Sequence, residues 1–177
     1  MSVDLAAEVE NRTIIKLACS NTNYTYFMRI ILQRVSEASV TVSDEIIGKI
    51  GHGLLLFVGI EDEDTDEDME WLCNKVAKMR IFNDEEGKMN YSVKEVDGSI
   101  LAVSQFTLHA SLKKGNRPSF MSAARPEYAI PMYEKFIKIL EITSGRTVET
   151  GEFGADMKVQ LLNDGPVTIF IDSKNRE

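Results

Sequence analysis

Long apolar runs are missing from this chain. The longest, LLLFVGI at Leu54–Ile60, is far short of the roughly 20 residues that cross a bilayer, so no membrane span is expected. Cysteine is scarce. Cys19 and Cys73 lie far apart without a CxxC partner, which disfavours a disulfide framework and a cysteine-based zinc site. With only two histidines, His52 and His109, metal-binding capacity is small, and neither a metal nor a cofactor is expected. The N-terminus has no basic start followed by an apolar stretch, and it carries Asp4, Glu8 and Glu10. Secretory and mitochondrial leaders are therefore not expected, and NRT and NYT read as chance matches to the glycosylation pattern. These features together predict a reducing, cytoplasmic setting. Internal repeats and low-complexity linkers are also absent, and 177 residues suit one core.

Acid is missing from one long window. No Asp or Glu lies between Asp97 and Glu127, whereas EDEDTDED at Glu61–Asp68 concentrates it. The acid-free window holds Lys113, Lys114, Arg117 and Arg125. They read either as a local cationic surface for an anionic ligand or as four solvated charges. The net charge of −8 argues against broad coating of nucleic acid.

Residues 1–27 have weak periodicity and differ from the rest of the chain. Met28 opens an alternating run, so residues 1–27 are expected to be an extension and residues 28–177 the functional domain. Strands are predicted at Ile30–Val35, Ala38–Val42, Ile46–Ile50 and Leu54–Gly59, with turns at Ser43–Glu45 and at the GHG between the last two. Thr65 and Asp68 form a capping signal for a helix whose inward residues are Met69, Leu72, Val76 and Met79. A calcium loop in the acidic run would lack its glycine and distal glutamate. NDEEGK at Asn83–Lys88 predicts a turn, Ile100–Leu108 a strand, and KKGNRPS a basic loop. A second helix is predicted over Pro126–Ile142, with Met132, Phe136, Ile137 and Leu140 inward; Pro131 should kink or shorten its start. DMKVQLL and the closing NDGPVTIFID complete the strands. The fold class expected is α+β: a curved, mainly antiparallel sheet or barrel with two helices packed on it.

Alternation along SQFTL would place Gln105, Thr107 and His109 on one face and Ser104, Phe106 and Leu108 on the other. This is what any half-exposed strand shows. It also describes an amide and a hydroxyl able to orient a carbonyl or a water. His109 could serve Thr107 as a base, but no third group orients it, and a surface histidine is the preferred reading. Gly165-Pro166 stands at the mouth of the last strand, where proline suits the first position and glycine permits close approach of another body. On these residues alone a simple turn is the preferred reading of the pair.

MRIILQRV, GLLLFVGI, RIFNDEEGKMN, SQFTL, RPSF, FGADM and NDGPVTI occur in that order. From Met28 onward the chain resembles the D-aminoacyl-tRNA deacylase, or D-tyrosyl-tRNA deacylase, family. The resemblance implies a cytoplasmic homodimer that hydrolyses the ester between a D-amino acid and the 3′-terminal adenosine of tRNA, and that also releases mischarged glycine. It implies a catalytic segment of Ser104, Gln105 and Thr107, with Phe106 against the substrate. Thr107 matches a threonine that acts either as nucleophile or as an orienting group for the substrate's own 2′-hydroxyl. Gly165-Pro166 matches a Gly-cisPro motif that enters the partner's site and rejects L-amino acids, and Arg34 matches an arginine that steadies it. His109 matches nothing fixed in the family. Lys113, Lys114, Arg117 and Arg125 become candidate contacts to the tRNA end. Two other readings stand beside this one: a threonine-nucleophile esterase or amidase on small substrates, and a non-catalytic dimeric nucleic-acid-binding module. The latter lacks the aromatic-studded basic sheet it would need.

Overall fold

Apolar residues alternate along Arg29–Val42 and build a single 14-residue strand, β1. The computed structural model describes residues 28–113 and 115–176; the expected extension, residues 1–27, lies outside them. Ser43 and Asp44 turn the chain with positive φ of 49° and 66°, a two-residue hairpin geometry that suits the right-handed strand twist. β2 (Glu45–Ile50) returns along β1, and β3 (Gly53–Gly59) pairs with β1 from Arg29 to Val35. Helix α1 (Asp66–Lys78) starts at the predicted Thr65–Asp68 capping box. After a small hairpin of β4 (Phe82–Asn83) and β5 (Met89–Tyr91), β6 (Ser99–Ser104) lies parallel to β3. Helix α2 (Pro126–Ser144), β7 (Val148–Thr150) and the long β8 (Lys158–Asp172) follow.

The sheet runs β2-β1-β3-β6-β7, and β8 pairs with β1 along nearly its whole length. It is mixed and mostly antiparallel, and it curls into a nearly closed barrel. Ile30, Leu32, Leu54, Leu56, Val58 and Ile100 face the two helices. Val35, Ala38, Val40, Leu55, Leu101 and Val103 form a second core inside the curl. With both faces covered, β3 and β6 read as nearly continuous apolar runs. Cys73 is a free buried thiol in the first core. Among the described residues, no helix is long and apolar enough to cross a membrane.

Three expectations are corrected. The helix is continuous through Pro131, which does not shorten its start. Pro126 occupies the tolerated first-turn position, and Pro131 is exposed, so the carbonyl that loses its helical donor can be hydrated. DMKVQLL and NDGPVTIFID are one strand, not two, with an interruption opposite Arg34. The strand predicted over Ile100–Leu108 stops at Ser104.

Candidate active site

β3 ends at Gly59, so β6 loses its partner just beyond Ser104. The Gln105 amide still donates to Val58 O at 2.7 Å. The chain then folds over the end of β3 as a 3-10 turn, Phe106–His109. Gly59 must be glycine for this. A Cβ there would lie 2.8 Å from His109 Nε2, 3.0 Å from Leu108 Cβ and 3.1 Å from Gln105 O. The predicted sharing of a strand face by Gln105, Thr107 and His109 therefore fails. Gln105 and Thr107 meet another way: the Gln105 amide Nε2 donates to Thr107 Oγ1 at 2.5 Å. The threonine oxygen accepts, and its own proton is left to be donated elsewhere.

His109 is not at the surface. It is 2% exposed, with Nδ1 2.8 Å from Glu61 Oε1 and Nε2 against Gly59. Burial pushes the imidazole down to about 4, opposed by the Gly59 backbone; the Arg29 guanidinium pushes further down and Asp172 opposes it. With its nitrogens turned to Glu61 and Gly59, His109 is no base for Thr107. Beside it, Arg29 donates to Leu108 O at 3.0 Å and to Asp172 Oδ2 at 3.2 Å. The Glu61 amide donates to Asp64 Oδ2 at 2.8 Å. Burial pushes the Asp64 carboxyl up to about 7, against hydrogen bonding from the Glu61 backbone and with the Glu61 and Asp68 charges adding to the rise. Sequence reasoning missed Arg29, Glu61 and Asp64 here. Glu61 and Asp64 were hidden in an acidic run that elsewhere caps a helix, and Arg29 carries no local signal.

Ser104, Gln105 and Phe106 line a cavity of about 220 Å³, closed on other sides by Val103, Phe153 and Met157. Phe106 is 57% exposed and meets Phe120 edge-to-face at 5.2 Å. Phe120 follows a loop closed by pairing of Ser111 with Ser119. Lys113 and Arg117 are exposed on that loop, and Arg125 is exposed at the start of α2. Ala124, the neighbour of Arg125, is in the cavity lining. Lys114 lies outside the described residues.

Gly165-Pro166 sits elsewhere. Thr168 pairs with Gln33 and Asn163 with Val35, so residues 164–167 stand opposite Arg34 alone and bulge out of β8. Arg34 is 4% exposed. Its Nε donates to Asp164 O at 3.2 Å and lies 3.1 Å from Asp164 Oδ2, while Nη1 donates to Ile81 O at 2.5 Å. Gly165 has φ +111°, and a Cβ there would fall on Arg34 Nη2. The peptide bonds of the described residues are all trans. The expected cis bond before Pro166 is not present, and the glycine's positive φ makes the turn instead. Both residues of the pair are exposed, and neither lines the cavity beside Gln105.

Comparison with known proteins extends this geometry. The family model described as D-Tyr-tRNA(Tyr) deacylase matches residues 31–172. A D-aminoacyl-tRNA deacylase of Flavobacterium johnsoniae is 65% identical over 150 residues, covering 85% of this chain and 100% of the relative. One from Akkermansia muciniphila is 62% identical with the same coverage. Among solved structures, one described as c-Myc DNA Unwinding Element Binding Protein is 42% identical. It has a TM-score of 0.76 and covers 81% of this chain and 97% of that one.

Proposed function

We propose, from the premise that this chain belongs to the D-Tyr-tRNA deacylase family, that it hydrolyses the ester of D-aminoacyl-tRNA. Water attacks the ester carbonyl; the free D-amino acid and the 3′-hydroxyl of the terminal adenosine leave. Glycine mischarged on tRNA is released the same way. The observation that carries the chemistry is the hydrogen bond from Gln105, which lines the cavity, to the Thr107 hydroxyl. A hydroxyl that accepts from an amide and has no base beside it is a poor nucleophile. It is a good orienting group. Thr107 and Gln105 therefore hold the terminal ribose and ester, and the substrate's 2′-hydroxyl, one carbon from the ester, directs the attack. Such a neighbouring group gains from proximity what an unassisted water lacks. Ser104 and Phe106 shape the wall against which the substrate lies, and Lys113, Lys114, Arg117 and Arg125 hold the tRNA end.

Gly165 and Pro166 serve as the chiral gate. L-aminoacyl-tRNA must survive, and a rigid obstruction rejects it more strongly than added contacts to the D side chain could. Glycine has no side chain to clash and passes. The gate acts in a neighbouring subunit: the bulge projects from its own chain, and the cavity beside Gln105 has no wall from it. Among the described residues β8 pairs with β1 alone, and Leu162 and Phe170 on it are exposed. An open strand edge of this length calls for a cover, and a second copy supplies it. The catalytic unit is residues 28–177 and works in the cytoplasm.

The test is incubation of the purified protein with matched D- and L-tyrosyl-tRNA. Free D-tyrosine and rechargeable tRNA are expected, with the L ester spared. Equal rates on both would overturn the proposal, and a trapped acyl group on Thr107 would favour the threonine-nucleophile esterase instead. The nucleic-acid-binding reading draws on the name of one similar structure; it predicts binding without turnover.

A further inference from the structure

We propose that His109 and Glu61 are a buried positioning pair that sets the height of the Gln105–Leu108 turn over the end of β3. The inference rests on the deacylase reading and adds two residues to it. Neither touches the cavity. His109 closes the 3-10 turn that begins just after Gln105, so its ring is the inner support of the turn that presents Thr107. The ring is 2% exposed and Glu61 3%. Two polar side chains this deeply buried cost desolvation free energy. They face each other with His109 Nδ1 2.8 Å from Glu61 Oε1, without a well-directed hydrogen bond at either ring nitrogen; a close approach kept at that cost points to a role in placing the turn.

The pair is also tied to fixed structure on both sides. On one side, Glu61 is held by its own amide to Asp64 in the loop that leads to the Thr65 cap of α1. On the other, the ring lies against the backbone of Gly59, where a β-carbon would not fit. Arg29 donates to Leu108 O in the same turn. The turn is thereby held at His109, at Leu108 by Arg29, and at its entry by the Gln105–Val58 bond. Removing the pair leaves Gln105 and Thr107 in place chemically but free to shift. A misplacement of about 1 Å is enough to lose about 100-fold in rate.

The experiment measures kcat and KM on D-tyrosyl-tRNA, with melting temperature, for the full chain and for His109→Leu, His109→Asn, Glu61→Gln and the double variant His109→Leu/Glu61→Gln. His109→Leu fills the space without polarity and is expected to lower kcat by about 10-fold or more with KM nearly unchanged, since it disturbs alignment and not binding. His109→Asn keeps a donor near the position of Nδ1 and is expected to retain kcat within about threefold. The double variant should be no worse than the worse single one, because the two residues act as a unit. Wild-type kcat in a folded His109→Leu protein, a loss confined to KM, or losses that multiply would each overturn the proposal. Should His109→Leu fail to fold, Glu61→Gln takes its place, and wild-type kcat in that folded variant would overturn it equally. If the unaltered protein shows no turnover, the deacylase reading itself fails. If it is active and the variants match it, only the positioning pair fails.

Discussion

The 3-10 turn after Gln105 and the bulge of residues 164–167 are both departures from regular strands, and they are held in opposite ways. The turn is gripped on its inner side by Arg29, Glu61 and the Val58 carbonyl. The bulge is propped from one buried side chain, Arg34, while Gly165 and Pro166 stay exposed. The difference suits the two tasks proposed for them. Orienting an ester requires donors fixed relative to a cavity in the same chain. Rejecting a side chain requires a stiff projection that reaches beyond the chain. A guanidinium suits the second role, with several donors in a rigid fork that satisfy carbonyls from Asp164 and Ile81 at once.

The largest expected effect separates the turn from a nucleophilic site. A D-aminoacyl-tRNA ending in 2′-deoxyadenosine should be hydrolysed at least about 1,000-fold more slowly than the normal substrate, because the proximity of the 2′-hydroxyl carries the attack. Hydrolysis at the normal rate would make Thr107 the centre of the chemistry. Next comes the bulge. Gly165→Ala places a methyl on Arg34 Nη2 and forces an L-residue to φ +111°, a strain of about 1–3 kcal/mol. Discrimination of D- from L-tyrosyl-tRNA should fall by about 10-fold or more, each 1.4 kcal/mol being about tenfold. A variant that hydrolyses D esters normally and still spares L esters would detach chirality from this segment. Thr107→Ala should do less. It removes one acceptor for Gln105, a net contribution of about 1 kcal/mol, and should slow single-turnover hydrolysis by about fivefold.

The smallest effect concerns stability, and it belongs to the floor of the turn. His109 is held down at about 4, below its ordinary 6.5, by burial. In that window the unfolded chain binds more protons, so this group makes stability rise with pH. Asp64 is held up at about 7, above its ordinary 3.8, also by burial. There the folded chain binds more protons, so this group makes stability fall as pH rises. Between about pH 4 and 6.5 the two oppose each other. Melting temperatures across that range should climb more steeply in Asp64→Asn than in the unaltered chain and more shallowly in His109→Asn. Parallel profiles for all three proteins would show that neither group titrates as its burial requires.

Much of the frame was legible because it depends on short-range patterns. Alternation revealed β1 and β3, the Thr65–Asp68 box marked the start of α1, and α2 ends at Ser144, two residues past the expected Ile142, with Gly145 left-handed at its cap. The site was less legible because distant residues decide it. SQFTL alternates as well as any strand; what bends it is the end of β3 at Gly59 and the arrival of Arg29 and Glu61 from far along the chain. The same distance hid the burial of His109. Proline at 166 correctly signalled a break in pairing, but not that β8 resumes on the same neighbour beyond it, since the register with β1 on both sides is a tertiary fact. The role of Arg34 was visible only through resemblance, although its bond to the Asp164 carbonyl is plain once β1 and β8 are side by side.

The division of labour between the two regions is tested most directly by a mixed dimer, isolated through two different tags. One subunit carries Gln105→Ala, Thr107→Ala and Gly165→Ala together; the other is unaltered. With the gate acting across subunits, the one intact site faces the damaged bulge, and the dimer should hydrolyse L-tyrosyl-tRNA or lose its activity on the D ester. Full D activity with the L ester spared in that same mixed dimer would contradict the account.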